Sequence, residues 1–374
     1  MNALRVGLST GTLYGGGHGG KLDGIGVYTA ALARTLPRSG CSLTQCVYRG
    51  PVHGAGFPHG IVAFPRPFAQ QALASAFGAT LRVTEHIDIY HATDYRVVRM
   101  DCPVVATLHD AVPLRFPEWT SPRLRRLKNW QIRQAGRTAD HVIAHSRASV
   151  ADLVQYFNID EGSISVVPCG VDRYWLVPPE AGVTESVLSR YKLRSGYFLF
   201  VGTLQPRKNL GTLLNAYLSL PERIRHEQQL VIVGRAGWRC DADVAAILAA
   251  QRAGERVVWL ADMASEDELR SIYVGASAFI FPSLYEGFGL PLLEAFASGT
   301  PVICSDISCL PEVAGGAAVE VDPLDPEAIA TAMALLLEDS TLREKCITLG
   351  KERAALLSWE RTASATLDVY RTLV

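Results

Sequence analysis

The chain is predicted to be an α/β protein of two parallel, doubly wound sheets that face each other across a cleft. Short apolar strands alternate with helical stretches along its length, the pattern of parallel strands joined by crossover helices. Its 374 residues suffice for two domains of ordinary size, and a Pro-rich connection at residues 171–182 interrupts the rhythm near the middle. The halves also differ in charge. Residues 1–175 carry 18 Lys and Arg against 12 Asp and Glu, a balance of +6; residues 176–374 carry 18 against 25, a balance of −7. The predicted domains are 1–175 and 176–357.

Hydrophobic residues make up 48% and charged residues 20%, which excludes a disordered chain. No apolar run reaches membrane-spanning length. The N-terminus enters a strand pattern with no basic region followed by an apolar one, so the cytosol is the expected compartment. The eight cysteines (Cys41, Cys46, Cys102, Cys169, Cys240, Cys304, Cys309 and Cys346) form neither a Cys-x-x-Cys pair nor a Cys/His cluster. They are expected to be buried free thiols, without metal or disulfide. No acidic residue occurs between Asp23 and Glu85. A first half so basic suits an anionic partner: a membrane surface, a phosphorylated acceptor or a nucleic acid.

In the first half, strands are expected at 4–9, 88–91, 104–108, 141–144 and 164–167, and helices at 27–36, 69–83, 121–138 and 146–157. A glycine-dense loop, from Gly11 through Gly24 and Gly26, follows the first strand. A dinucleotide site needs the glycines directly after the strand, a glycine where Thr29 stands and an acid about 20 residues on, and none of these is present. The loop either approaches a ligand or is simply mobile. Ligands of doubly wound sheets bind at the carboxyl ends of strands. That rule selects His91, His109 with Asp110, and Ser146 with Arg147. A histidine there is equally a satisfied structural residue, and His109 is favoured because a loop rich in prolines and aromatics, residues 110–119, follows it. The helix expected at 121–138 starts on Ser121-Pro122 and holds six basic residues (Arg123, Arg125, Arg126, Lys128, Arg133, Arg137), no acid, and interleaved Leu124, Leu127, Trp130 and Ile132. Such a helix lies on anionic lipid or packs its apolar stripe inward.

In the second half, strands are expected at 197–201, 229–233, 257–260, 278–281 and 301–304. After the first stands Gly202-Thr-Leu-Gln-Pro-Arg207-Lys208-Asn209. Adjacent cations in a strand-to-helix loop suit a pyrophosphate, Arg through its fork and Lys as a point charge. After the fourth comes Phe281-Pro-Ser-Leu-Tyr-Glu286-Gly287-Phe288-Gly289-Leu290-Pro291, then an apolar helix containing Glu294. Pro291 suits the first helical turn. Glycine allows backbone N–H groups close to a ligand, and the helix dipole favours an anion. The separation of Glu286 and Glu294 alone serves helix capping equally well. A strand before, a proline-started helix after and a second phosphate loop alongside favour a ligand site, with the glutamates as acceptors for sugar hydroxyls.

Together these residues resemble the nucleotide-sugar-dependent retaining glycosyltransferases of the GT-B architecture, family 4 (group 1), in their mannosyltransferase-like branch. The resemblance runs through Gly202, Pro206-Arg207-Lys208-Asn209, Val233-Gly234, Gly237-Trp238, the stretch from Phe281 to Glu294, Gly299-Thr-Pro301, Leu310-Pro-Glu312, Asp322-Pro323 and Ser358-Trp359-Glu360. In the first half it rests on Gly24-Ile25-Gly26, His91-Ala-Thr-Asp94 and His109-Asp110. The match departs at Thr203, where many relatives carry an arginine.

The resemblance implies two Rossmann-like domains, the first binding the acceptor and the second the donor, with residues 358–374 crossing back to the first. It implies catalytic roles for His109, Glu286, Arg207 and Lys208. Donor contacts would come from Gly24, Gly26, Gly202, Arg207, Lys208, Glu286, Gly287, Phe288, Gly289, Leu290 and Glu294, with Glu294 on the ribose. No metal or other cofactor is implied, since Lys, Arg and a helix dipole can replace Mg²⁺. The expected function is transfer of mannose or rhamnose from a GDP-sugar to a glycolipid or polysaccharide acceptor, at the inner face of a membrane touched by helix 121–138, with no nucleic acid. UDP-glucose as donor, a sugar-nucleotide epimerase and a non-catalytic nucleotide-sugar-binding protein are the alternatives.

Overall fold

The computed structural model describes residues 3–14, 22–48, 61–81, 86–262 and 265–374. The chain divides into two compact units: Met1–Pro117, Pro122–Cys169 and Trp359–Val374 form the first, Glu118–Ser121 and Gly170–Ser358 the second.

The first unit is a seven-stranded parallel sheet of β1 (Leu4–Ser9), β2 (Cys41–Tyr48), β3 (Ile61–Phe64), β4 (Ile89–Ala92), β5 (Val104–Thr107), β6 (His141–Ala144) and β7 (Ile164–Val166), in the order β3-β2-β1-β4-β5-β6-β7. Every residue of β4 and β5 is buried, as a sheet covered on both faces by helices requires. β2 and β3 lie outside the expected strands: Cys41-Ser-Leu-Thr-Gln-Cys-Val-Tyr48 mixes polar and apolar residues without a continuous apolar run, and Ile61–Phe64 is only four residues long. The helix Trp359–Arg371 packs against the helix Gly24–Thr35, burying Trp359 and Tyr370, and Thr362 Oγ1 donates to the Pro168 carbonyl at 2.8 Å.

The basic helix spans Arg125–Thr138 and does not start on Ser121-Pro122; Leu124, left-handed at φ 57°, precedes it without a side-chain cap. Ala135 is buried and Ile132 packs on the core. Leu124, Leu127 and Trp130 are exposed instead of joining an inward stripe.

The second unit holds six parallel strands, β8 (Tyr197–Val201), β9 (Leu230–Val233), β10 (Val257–Leu260), β11 (Ala276–Phe281), β12 (Val302–Ser305) and β13 (Val319–Val321), ordered β10-β9-β8-β11-β12-β13. β8 reads Tyr-Phe-Leu-Phe-Val, β9 Leu-Val-Ile-Val, and β11 ends in Phe-Ile-Phe, the apolar runs that announce these strands. β13 is only Val-Glu-Val and carries too little pattern to be read. All eight cysteines are free thiols, seven of them buried.

Candidate active site

In the second unit the strand order reverses between β8 and β11, so the loops leaving these neighbours open at a switch point, the place where open α/β sheets bind ligands. The Gly202 loop follows β8, and the Glu286 loop follows β11. The first is shaped by the loop after β9. Gly234 has φ 146°, and a Cβ there would lie 1.9 Å from the Gly202 carbonyl oxygen. The Leu204 N–H donates to the Arg235 carbonyl at 2.9 Å and the Gly237 N–H to that of Leu204 at 3.0 Å. The Gly234 and Gly237 positions thus hold the Gly202 loop in place.

Pro206–Lys208 forms a single 3-10 turn. Asn209, left-handed at φ 57°, ties it down: its side-chain amide donates to the carbonyls of Pro282 at 3.1 Å and Pro323 at 2.6 Å. The Leu284 N–H donates to the Arg207 carbonyl at 2.8 Å. These bonds bring the two loops together.

At their meeting point Glu286 lies between both cations, Oε2 at 2.5 Å from Arg207 Nη1 and Oε1 at 2.5 Å from Lys208 Nζ. Glu286 and Lys208 are buried, and Lys208 Nζ also sits 4.6 Å from the centre of the Phe281 ring. Burial opposes ionisation of Glu286, but Arg207 and Lys208 outweigh it and hold the carboxyl at about 2. Burial lowers Lys208 to about 8, with Glu286 resisting and Arg207 assisting. Both therefore stay charged at neutral pH, and the three side chains carry one net positive charge. The Glu286 backbone is fixed by Ser308, whose hydroxyl accepts from its N–H at 3.1 Å and donates to its carbonyl at 2.9 Å, and by the Cys309 thiol. Neither residue was expected at the site. Ser308 lies in the loop after β12, and its backbone φ of 60° marks it only once the fold is known.

Gly287 and Phe288 continue the loop; the Phe288 carbonyl accepts from Cys309 Sγ at 3.2 Å. Gly289, at φ 102°, precedes the helix Leu290–Ala297, with Pro291 in its first turn. The leading N–H groups of a helix have no intrahelical partner, so this end suits an anion. Glu294 sits one turn in, half-buried, and accepts from the Tyr273 hydroxyl at 3.1 Å. Burial raises its pKa to about 7, with Glu266 adding to the rise and Tyr273 and Lys208 opposing it. Arg207, Lys208 and Glu286 are thus in contact, while Glu294 is separate from them.

In the first unit, His109 follows β5. Its Nε2 lies 2.8 Å from the Thr93 carbonyl and its Nδ1 3.0 Å from His145 Nε2. Both ring nitrogens are engaged. His91 is fully buried in β4 between the hydroxyls of Thr107 (2.7 Å) and Tyr370 (2.6 Å), a structural histidine; burial lowers its pKa to about 3. Ser146 caps the helix Arg147–Phe157 by accepting from the Ser149 N–H. The Asp110 side chain accepts from Tyr95 Oη at 3.0 Å. His145 stands directly after β6 and fits the rule that selects His109, but nothing else in its local sequence marks it out. Gly24 opens the helix Gly24–Thr35 and is exposed; the Gly26 N–H is bonded to the Asp23 carboxylate at 2.8 Å. Residues 15–21 of the glycine-dense loop lie outside the described residues.

Among the described residues no group of three or more His, Cys, Asp or Glu could hold a metal ion.

The family described as Glycosyl transferases group 1 matches residues 189–353, and Glycosyltransferase Family 4 matches residues 22–174. An O-antigen chain mannosyltransferase B from Escherichia coli is 31% identical over 290 residues, 76% of this chain and 74% of that protein. The chain belongs to the family 4, group 1 glycosyltransferases. Sucrose-phosphate synthase from Thermosynechococcus elongatus superposes on this glycosyltransferase with a TM-score of 0.75, at 20% identity over 99% of each chain. Anabaena Alr3699/HepE in complex with UDP and glucose does so at 0.72, with 16% identity over 99% of this chain and 100% of that one. At these identities the likeness bears on the fold, which is GT-B. The matched residues 189–353 of the glycosyltransferase include the whole Arg207–Lys208–Glu286 cluster.

Proposed function

We propose that this glycosyltransferase transfers mannose or rhamnose from a GDP-sugar to a glycolipid or polysaccharide acceptor, with retention of configuration and without a metal ion. The observation that carries the donor reading is the Arg207–Lys208–Glu286 cluster, with Lys208 and Glu286 buried, at the switch point of the second sheet. The diphosphate leaving group gains charge as the glycosidic bond breaks, and preorganised cations stabilise that state more than the ground state. Arg207, Lys208 and the amide end of the helix Leu290–Ala297 supply the neutralisation that Mg²⁺ gives elsewhere. Glu286 orients both cations and turns its remaining acceptor capacity to the sugar hydroxyls, beside the backbone N–H groups of Gly287, Phe288, Gly289 and Leu290. Gly202 lets the diphosphate approach. Glu294 accepts from the ribose hydroxyls. With no carboxylate assigned as nucleophile, retention follows from attack on the same face, assisted by the departing phosphate.

The choice of mannose leans on the Escherichia coli mannosyltransferase relative. UDP-glucose is the second donor, favoured by the UDP and glucose bound in the Anabaena neighbour. In the first unit, which we assign to the acceptor, His109 and the exposed Gly24 contribute, while the Gly26 N–H is held by Asp23. No helix of the described residues is long and apolar enough to cross a membrane. We assign the enzyme to the cytoplasmic face of a membrane, held there by the exposed apolar and basic residues of the helix Arg125–Thr138.

A thermal-shift screen of nucleotides tests the donor, since a ligand that binds only the folded state raises the melting temperature. Stabilisation by GDP and not UDP supports the GDP-sugar. The reverse result selects UDP-glucose, and silence towards every nucleotide removes the donor site.

A further inference from the structure

The carboxyl ends of the adjacent strands β4, β5 and β6 gather three histidines whose proton requirements differ. His91 contacts two hydroxyls, each able to donate or accept, so a neutral ring satisfies both. His109 and His145 are placed otherwise. His109 Nε2 faces the Thr93 carbonyl at 2.8 Å, and His145 Nδ1 faces the Val167 carbonyl at 3.1 Å. A carbonyl only accepts, so both outer nitrogens carry hydrogen. The two inner nitrogens, His109 Nδ1 and His145 Nε2, then face each other at 3.0 Å. Two neutral rings would present two lone pairs there. The hydrogen bond requires one proton more than two neutral imidazoles hold.

We propose that His109 and His145 share a single extra proton, and that His145 thereby positions His109 for its part in the transfer. The positioning half rests on the role assigned to His109 above; the proton count does not.

The surroundings allow one shared proton and no more. The Tyr28 ring packs T-shaped against both imidazoles, centroids 4.8 Å from His145 and 5.2 Å from His109. Burial, with repulsion from His109 and His91, lowers His145 to about 3, so it does not hold a second proton. Burial lowers His109 as well, and the Thr93 carbonyl with the acids Asp110, Asp94 and Asp23 offsets this only in part. Asp110 follows His109 itself, Asp94 lies after β4, and Asp23 caps the helix Gly24–Thr35 that carries Tyr28. His109 is therefore the more basic of the two rings, and the shared proton sits on its Nδ1 with His145 Nε2 as acceptor, on the acid side of the ordinary imidazole range. Raising the pH removes it, sets the lone pairs against each other and releases the His109 ring.

The test uses the full chain labelled with ¹⁵N-histidine, from about pH 5 to 9. The wild type is expected to show a hydrogen-bonded ring proton between the two residues that disappears as pH rises. In His145→Gln an amide N–H reaches neutral His109 Nδ1 without any extra proton. Turnover of GDP-mannose, read as GDP release, is expected to decline on the alkaline side in the wild type and to lose that decline in His145→Gln. It is expected to fall about tenfold or more at every pH in His145→Leu, which holds the ring with no bond. Neutral rings with no proton between them across the whole range overturn the proposal, as does a His145→Gln enzyme no better than His145→Leu. Wild-type turnover in His109→Ala removes His109 from the reaction and the positioning role with it. The NMR result distinguishes that outcome from a failure of proton sharing.

Discussion

Lys208 Nζ lies 2.5 Å from Glu286 Oε1, across a contact that joins the loop after β8 to the loop after β11 with both residues buried. Burying two charges costs more than their attraction returns unless the geometry and further bonds are good, and here Arg207 completes the carboxylate's partners. Losing one member of such a pair typically costs about 3–5 kcal/mol, and Arg207 keeps the loss in Lys208→Ala near the lower end. The expected outcome for Lys208→Ala is a lower melting temperature and a turnover reduced by about 10²–10³-fold, the scale of removing one transition-state charge contact. Assaying a temperature at which the variant is still folded separates the two effects. Retained turnover there would take the pair out of the donor site.

Glu294 gives a pH dependence opposite in sign to that of the His109–His145 pair. Its pKa, raised from 4.5 to about 7 by burial, leaves it partly protonated at neutral pH. A carboxylate accepts from ribose hydroxyls more strongly than the neutral acid does. Nucleotide affinity is therefore expected to rise with pH between about 6 and 8. Binding should release a proton near pH 7, which calorimetry in buffers of different ionisation enthalpy detects. Glu294→Gln should bind more weakly and lose the slope. An unchanged slope in that variant assigns the titration to another group.

Much of this arrangement could be read from the residues, for identifiable reasons. The strands β1, β6, β8 and β10 have the expected bounds because each is built on a short cluster of apolar residues, and Gly202, Arg207, Lys208 and Glu286 follow strand ends where the parallel-sheet rule looks for ligands. The pairing of Glu286 with both cations was not legible. It depends on β8 lying beside β11, a long-range adjacency with no local signature. His145 escaped for a different reason: a histidine between a strand and a capping serine looks like punctuation until the facing carbonyl of Val167 is known. The basic helix begins at Arg125 because Leu124 adopts a left-handed backbone, which no residue-type preference foretells for a leucine.

Gly234 tests whether the second loop shapes the first. A Cβ at this position meets the Gly202 carbonyl oxygen at 1.9 Å and its carbon at 2.6 Å, backbone atoms that cannot swing aside. Gly40 is a useful contrast, with φ 98° and nothing within 4 Å of its Cβ. Gly40→Ala should cost about 1 kcal/mol from backbone strain alone. Gly234→Ala should cost more and also weaken nucleotide binding, because the Gly202 loop must move. Melting curves with and without nucleotide compare the two. Equal losses, with nucleotide stabilisation intact in both, would show that the Gly202 loop does not depend on its neighbour.

The helix Arg125–Thr138 carries the membrane reading into a quantitative test. Leu127 is 58% exposed and Trp130 39%, on one face of the helix, and Leu124 just before it is 63% exposed. The helix Phe68–Ala76 touches it and adds Leu73 and Phe77, the latter 85% exposed. Apolar residues left in water at that density cost free energy that insertion into a lipid interface recovers, and the exposed Arg123, Arg126, Lys128, Arg133 and Arg137 bring positive charge to the same stretch of chain. Each basic residue near an anionic surface contributes about 1 kcal/mol, so Arg126→Glu, Lys128→Glu and Arg133→Glu together should weaken binding to phosphatidylglycerol vesicles by about a hundredfold or more. Leu127→Ala with Trp130→Ala should weaken it through lost apolar burial while leaving its salt dependence in place. Co-sedimentation with anionic and with neutral phosphatidylcholine vesicles measures both. Equal binding to the two lipids, or a charge-reversed protein that sediments like the wild type, would assign the exposed face to something other than an anionic membrane.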